Sequence, residues 1–172
     1  RAWLPEKADE FPDLSDEHLL ATLDEWLKPA LRGKRRLDAL TEDELSEALK
    51  SSLDWPQRQR IEALAPVRIE VPSGLDRPIH YEAGKSPVLA IKLQELFGLA
   101  DTPRIAEGRV PLTLHLLSPA GRPLQVTQDL RGFWERTYPE VKKEMKGRYP
   151  KHPWPDDPWT APATHRAKPR GT

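Results

Sequence analysis

Cysteine is absent from all 172 residues, which excludes disulfides and thiolate metal sites and permits a reducing compartment. Long apolar runs are missing as well. Nothing approaches the roughly 20 residues that a membrane-spanning helix needs, and no signal-peptide pattern opens the chain. A cytoplasmic location with no membrane partner is therefore the expectation. Charge of one sign is also lacking, because 27 bases balance 27 acids. The global electrostatic signature of a dedicated nucleic-acid binder is thus missing.

Several catalytic patterns are incomplete. A phosphate loop needs an upstream glycine and a strand-loop-helix setting, whereas Gly84-Lys85-Ser86 lacks the first and has a hairpin arm before it. The reading is a loop ending in a helix cap, so no ATP or magnesium site is expected here. The histidines His18, His80, His115, His152 and His165 never show the close helical spacing of a zinc motif. His80 and His115 could meet across a sheet, but they read as ordinary strand residues. Asp156-Asp157 reads as turn caps or as partners of Lys151 and Arg148 rather than as a metal site. Ser73 sits in Pro-Ser-Gly, not in a nucleophile elbow. The sequence predicts no catalytic residue, no metal and no cofactor in this segment.

What is present begins with helices. Ser15 precedes Asp16 and Glu17, and Leu19, Leu20, Leu23, Trp26 and Leu27 follow at helical spacing, which predicts an N-capped helix ending near Lys28-Pro29. Thr41 and Glu44 form a capping box for a second helix. Asp54 with Pro56 opens a third, which stops before Pro66. From Val67 the apolar residues alternate, and Pro72-Ser73-Gly74 supplies a turn toward Arg77–Glu82, a first hairpin. Ser86-Pro87 predicts the start of a helix through Leu89, Leu93, Leu96 and Phe97. A second hairpin joins residues 111–117 to 124–127. Thr127 or Asp129 caps a closing helix through Phe133 and Trp134, kinked or restarted at Pro139.

Residues 147–158, Gly-Arg-Tyr-Pro-Lys-His-Pro-Trp-Pro-Asp-Asp-Pro, cannot be an ordinary helix or central strand. The prolines impose an extended path, which must be docked by Tyr149, Trp154 and Trp159 or else be disordered. The predicted class is α+β: residues 1–13 a linker, 14–66 a helical subdomain, 67–160 a small antiparallel sheet of about four strands with packed helices and this strap, and 161–172 a loose basic tail.

Val126-Thr127-Gln128-Asp129-Leu130, Phe133-Trp134 and Thr137-Tyr138-Pro139-Glu140-Val141, with the strap and upstream strings such as Val71-Pro72-Ser73-Gly74 and residues 87–98, resemble the carboxy-terminal domain of the HrpB family of bacterial ATP-dependent helicases. The likeness runs roughly from Pro12 to Pro162. It implies a DEAH-box RNA helicase whose ATP-hydrolysing lobes, with their ATP and magnesium, precede this segment. A start at Arg1 rather than Met fits a piece of such a polypeptide.

The candidate contact surface follows from charge distribution. Acids dominate residues 6–25, and bases dominate from Lys142 onward, ending in Arg166, Lys168 and Arg170. Arg131, Arg136, Lys142, Lys143, Lys146, Arg148 and Lys151 fall on or just after one predicted helix, a pattern suited to RNA phosphates. Tyr149 and Trp154 could add stacking faces, although a structural role pinning the strap is the favoured reading. The partners implied are upstream helicase domains with either RNA or another protein, the latter without any nucleic-acid contact.

Overall fold

Residues 1–167 are described in the computed structural model, and they divide into one unit of Arg1–Leu64 and a second that starts at Ala65. In the first unit, Ser15 caps α1 (Asp16–Ala21), its side chain accepting from His18 N. The single long helix expected here is instead interrupted at Thr22, whose hydroxyl donates to His18 O (2.8 Å). α2 (Leu23–Trp26) and a 3-10 turn (Lys28–Leu31) follow. Thr competes with the helical ladder through such local bonds, and Pro29 then stops it.

The two-sided capping box of Thr41 and Glu44 opens α3 (Glu42–Ser51). Asp54 and Gln57 cap α4 (Trp55–Leu64) reciprocally, with Gln57 N donating to Asp54 Oδ1 (2.8 Å) and Asp54 N to Gln57 Oε1 (3.0 Å). Residues 1–13 are not the free linker expected. Pro5–Glu10 forms a 3-10 segment, Glu10 pairs with Arg60, and the same guanidinium lies over the Phe11 ring. Leu4 is the one apolar side chain of this unit that is buried among the described residues.

The second unit carries the core. β1 (Arg68–Glu70) pairs antiparallel with β2 (Asp76–Pro78), as the alternation from Val67 suggests. β3 (Val88–Lys92) replaces the helix expected after Ser86-Pro87. Two features of its sequence favour this. Leu89 and Ile91 alternate with half-buried neighbours, and Val and Ile prefer a pleated surface to a helix. The helical remnant is a 3-10 turn, Leu93–Leu96.

A hairpin of β4 (Arg104–Ile105) and β5 (Val110–Pro111) follows. β6 (Thr113–Leu117) then lies between β3, to which it is parallel, and β7 (Pro123–Thr127), to which it is antiparallel. The α+β class holds. The anticipated four-stranded antiparallel sheet is corrected to a mixed three-stranded sheet with two small hairpins beside it, because β3 reaches β6 by a long crossover rather than a tight turn. Leu89, Ile91, Leu112, Leu114 and Leu116 are fully or nearly fully buried.

α5 (Leu130–Gly132), a π-helical turn (Phe133–Thr137) and α6 (Tyr138–Arg148) run on from one another. Tyr138 N donates to Phe133 O, five residues back. The widened turn admits Pro139, which has no N–H to donate, so the helix passes the proline without breaking. Asp129 caps α5, accepting from Gly132 N (2.8 Å). A Cβ at Gly132 would sit 2.0 Å from both Asp129 Oδ2 and Arg136 Nη2, so a larger residue there would push this pair aside.

One buried charge sits in this core. Glu95 is 1% exposed, and Arg77 grips it with two bonds, Nε to Oε2 (2.8 Å) and Nη2 to Oε1 (3.0 Å). Ser73 Oγ adds a third (3.3 Å). The β1–β2 hairpin is thereby fastened to the 3-10 turn after β3. Removing one member of such a pair strands a buried charge. Arg77→Ala is therefore expected to destabilise the domain by about 3 kcal/mol, measured by urea unfolding, with Arg77→Lys intermediate because an ammonium cannot reproduce the fork.

Candidate nucleic-acid interface

α5, the π-helical turn, α6 and the strap after it carry the basic residues of interest, which fall into two sets. Arg131 makes a two-pronged pair with Asp101, both contacts at 2.9 Å. Arg136 bonds Asp129 (2.8 Å), Lys142 pairs with Asp156, and Arg148 pairs with Glu144 one turn back (3.5 Å). These four bases are held by carboxylates. The acids show it: the Arg131 guanidinium holds Asp101 below the ordinary carboxylate value. The Gly132 N–H, then Arg136, does the same for Asp129, and Lys142 for Asp156. Lys143, Lys146 and Lys151 are exposed and have no ion-pair partner among the described residues. Of the seven bases, three are thus unpaired among the described residues and four sit in ion pairs, three of which have both members exposed.

Only the Glu144–Arg148 spacing is visible as a helical neighbour pair in the sequence. Asp101 lies thirty positions from Arg131, and no local signal pairs them. Asp156 turns to Lys142 rather than to Lys151 or Arg148, and Asp157 caps the next turn through Trp159 N (3.1 Å) and Thr160. Lys168 and Arg170 of the tail lie outside the described residues.

The aromatics serve the interior. Trp154 is buried, 9% exposed, and its indole N–H donates to Tyr149 O (3.0 Å). It is not an open stacking platform. Tyr149 is half-buried with its ring edge toward His152. Beneath the strap, Trp134 and Tyr138 meet at 5.3 Å, nearly perpendicular, with Phe97 and Phe133 alongside. Tyr138 Oη donates to Pro155 O (2.9 Å), and burial raises its pKa well above the ordinary phenol value.

Gly98 N donates to Pro158 O (2.8 Å). Gly98 adopts φ +83°, a conformation glycine tolerates readily. The tail expected to be loose is docked as far as it is described, since Thr164 N donates to Gln94 O (3.0 Å).

The remaining chemical candidates disperse. The Gly84-Lys85-Ser86 turn leads into β3 and not a helix, with Lys85 paired to Glu82 (2.7 Å), so no helix N-terminus is presented to a phosphate. His115 faces Ala90 and Val126 across the sheet, while His80 bridges Val88. No group of three metal-ligating side chains occurs among the described residues. Nor is any described helix long and apolar enough to cross a membrane.

Fold and surface together define a class: an α+β module closed by a proline-rich strap, with a lysine-bearing helix on its surface. The chain belongs to the HrpB-type ATP-dependent helicase C-terminal family, whose pattern matches residues 26–158. It is 49% identical over 166 residues to the ATP-dependent RNA helicase HrpB of Escherichia coli (strain K12), covering 96% of this chain and 20% of that protein. A crystal structure of the E. coli DExH-box NTPase HrpB superposes with a TM-score of 0.87 at 49% identity, over 96% of this chain and 20% of that one. A second, of the Escherichia coli DEAH/RHA helicase HrpB, gives 0.68 at 45% identity over 88% and 19%. The chain spans about one fifth of the length of these relatives.

Two measurements probe the strap. Trp154→Ala is expected to cost about 3 to 5 kcal/mol in thermal unfolding, whereas an exposed stacking residue would leave stability unchanged and lower only RNA affinity. His152 has a buried Nδ1 with no hydrogen-bond partner. Burial, with Lys92 nearby, holds its pKa below the ordinary 6.5. A depressed histidine pKa means that the unfolded chain binds the proton more tightly. Stability is then full above 6.5 and falls as pH drops through that value toward the folded pKa. Unfolding curves at pH 7.5 and 5.5 should show this loss, and His152→Gln should shrink it.

Proposed function

We propose that this domain is a non-catalytic accessory element of an HrpB-like RNA helicase and adds a sequence-independent phosphate contact while ATP and magnesium are used by the lobes preceding it. The observation carrying the reading is three lysines, Lys143 and Lys146 on α6 and Lys151 just after it, exposed and without ion-pair partners among the described residues. Arg131, Arg136, Lys142 and Arg148 secure the helix and strap that present these lysines. With Trp154 turned inward, the reading rests on charge rather than on stacking by that ring. Protein interaction without nucleic acid is the other reading. It is supported by no comparable feature on this face.

The test belongs in a full-length helicase carrying this domain. Each lost phosphate contact lowers the slope of log affinity against log salt by about 0.7 for a single strand. Lys143→Ala, Lys146→Ala and Lys151→Ala combined should therefore flatten that slope by about 2 and leave thermal stability intact. Arg136→Ala is the control, expected to change stability more than slope. An unchanged slope together with unchanged RNA-stimulated ATP turnover would remove RNA from this face.

A further inference from the structure

Charge divides unevenly along the chain. Residues 1–64 carry fifteen carboxylates against ten Lys and Arg, a net of minus five, and the remaining residues carry the opposite balance. Within this acidic unit a groove of about 400 Å³ opens between α2 with its following turn and α3. Trp26, Ala30 and Ala48 give it apolar lining, and Glu25, Glu44 and Glu47 bring carboxylates to it. The Trp26 ring is half-buried and fixed, its indole N–H donating to Leu19 O (2.9 Å).

The three carboxylates differ in commitment. Glu44 is engaged by Lys34 (2.9 Å) and by the Thr41 backbone N–H, which hold its pKa down. Glu47 meets only Lys50, three residues on, in an exposed pair (2.8 Å), and also feels the charge of Arg58. Exposed pairs of that kind exchange at little cost. Glu25 is exposed and has no ion pair among the described residues.

We propose that this groove is a docking site for a basic segment of another protein, one that lays an arginine or lysine side chain against Trp26 within reach of Glu25 and Glu47. A wholly apolar occupant would strip water from the carboxylates without replacing it. A nucleic-acid backbone would meet the repulsion of a net negative unit. A cationic side chain satisfies both surfaces at once: its charge attracts the indole face and the carboxylates, and its methylene stem covers the apolar lining. Arginine suits the site best, since its planar fork can stack and bond a carboxylate together. This inference stands apart from the lysines on and just after α6 and does not depend on them.

The probe is a short fluorescein-labelled peptide alternating arginine and leucine, titrated by anisotropy against a full-length helicase carrying this domain. Saturable binding is expected. Glu25→Gln with Glu47→Gln should weaken it about fivefold or more, with circular dichroism unchanged. Glu42→Gln with Asp43→Gln, which removes equal charge outside the groove, should leave it near wild type. Trp26→Leu, which keeps an apolar wall, should also weaken it. Absence of saturable binding, or an equal loss in the control pair, overturns the proposal. Concentration-dependent self-association that Glu25→Gln with Glu47→Gln abolishes would instead assign the groove to the basic half of a second copy, and would overturn the separate partner.

Discussion

The perpendicular contact of Trp134 with Tyr138 is the constraint on which the second unit depends. Each ring buries a large apolar surface, and each carries a polar group that must be satisfied once water is excluded. Trp134 Nε1 finds Leu99 O (2.8 Å) and Tyr138 Oη finds Pro155 O (2.9 Å). Two neighbouring residues of one helical run thereby tie down two chain segments more than fifty positions apart. The strap's path follows from this need. Its prolines cannot donate, so they leave carbonyls free to accept from Tyr138 and from Gly98.

The π-turn belongs to the same solution. Pro139 in an α-helical register would collide with the preceding turn, whereas the i to i+5 bond from Tyr138 widens the helix just before it. Trp134 and Tyr138 are both buried, 1% and 2% exposed, although they lie in differently wound stretches. A sequence feature that looks like an interruption is accommodated without ending the helix.

Electrostatics decide which residues remain available for work. Four of the seven bases on and around α6 pair with Asp101, Asp129, Glu144 and Asp156, so a count of bases is not a count of unpaired charges. The acidic unit has the converse character. Its helices are well capped yet bury little, with Leu20, Leu37 and Trp55 each about two-thirds exposed. Capping makes helices, but apolar burial is what gives a unit most of its stability.

Local chemistry was enough to read several elements from the chain alone: the caps at Ser15, Thr41 and Asp54, the Pro72-Ser73-Gly74 turn, and a proline-rich strap that is neither helix nor strand. Each rests on bonds between residues a few positions apart, or on proline's fixed φ, and these act the same in any context. The motif strings and the α+β class were legible for a similar reason, being ordered patterns along one chain. Tertiary structure alone decided the rest. Val88–Lys92 became a strand because β6 offered a buried parallel neighbour, overriding a good helix-start signal at Ser86-Pro87. Trp154 turned inward because the core left room for its ring and Tyr149 O took its N–H. Arg131 pairs with Asp101, a partner no periodicity could reveal. Burial and long-range pairing depend on which distant segments converge, and the sequence's local bonding rules carry no term for that.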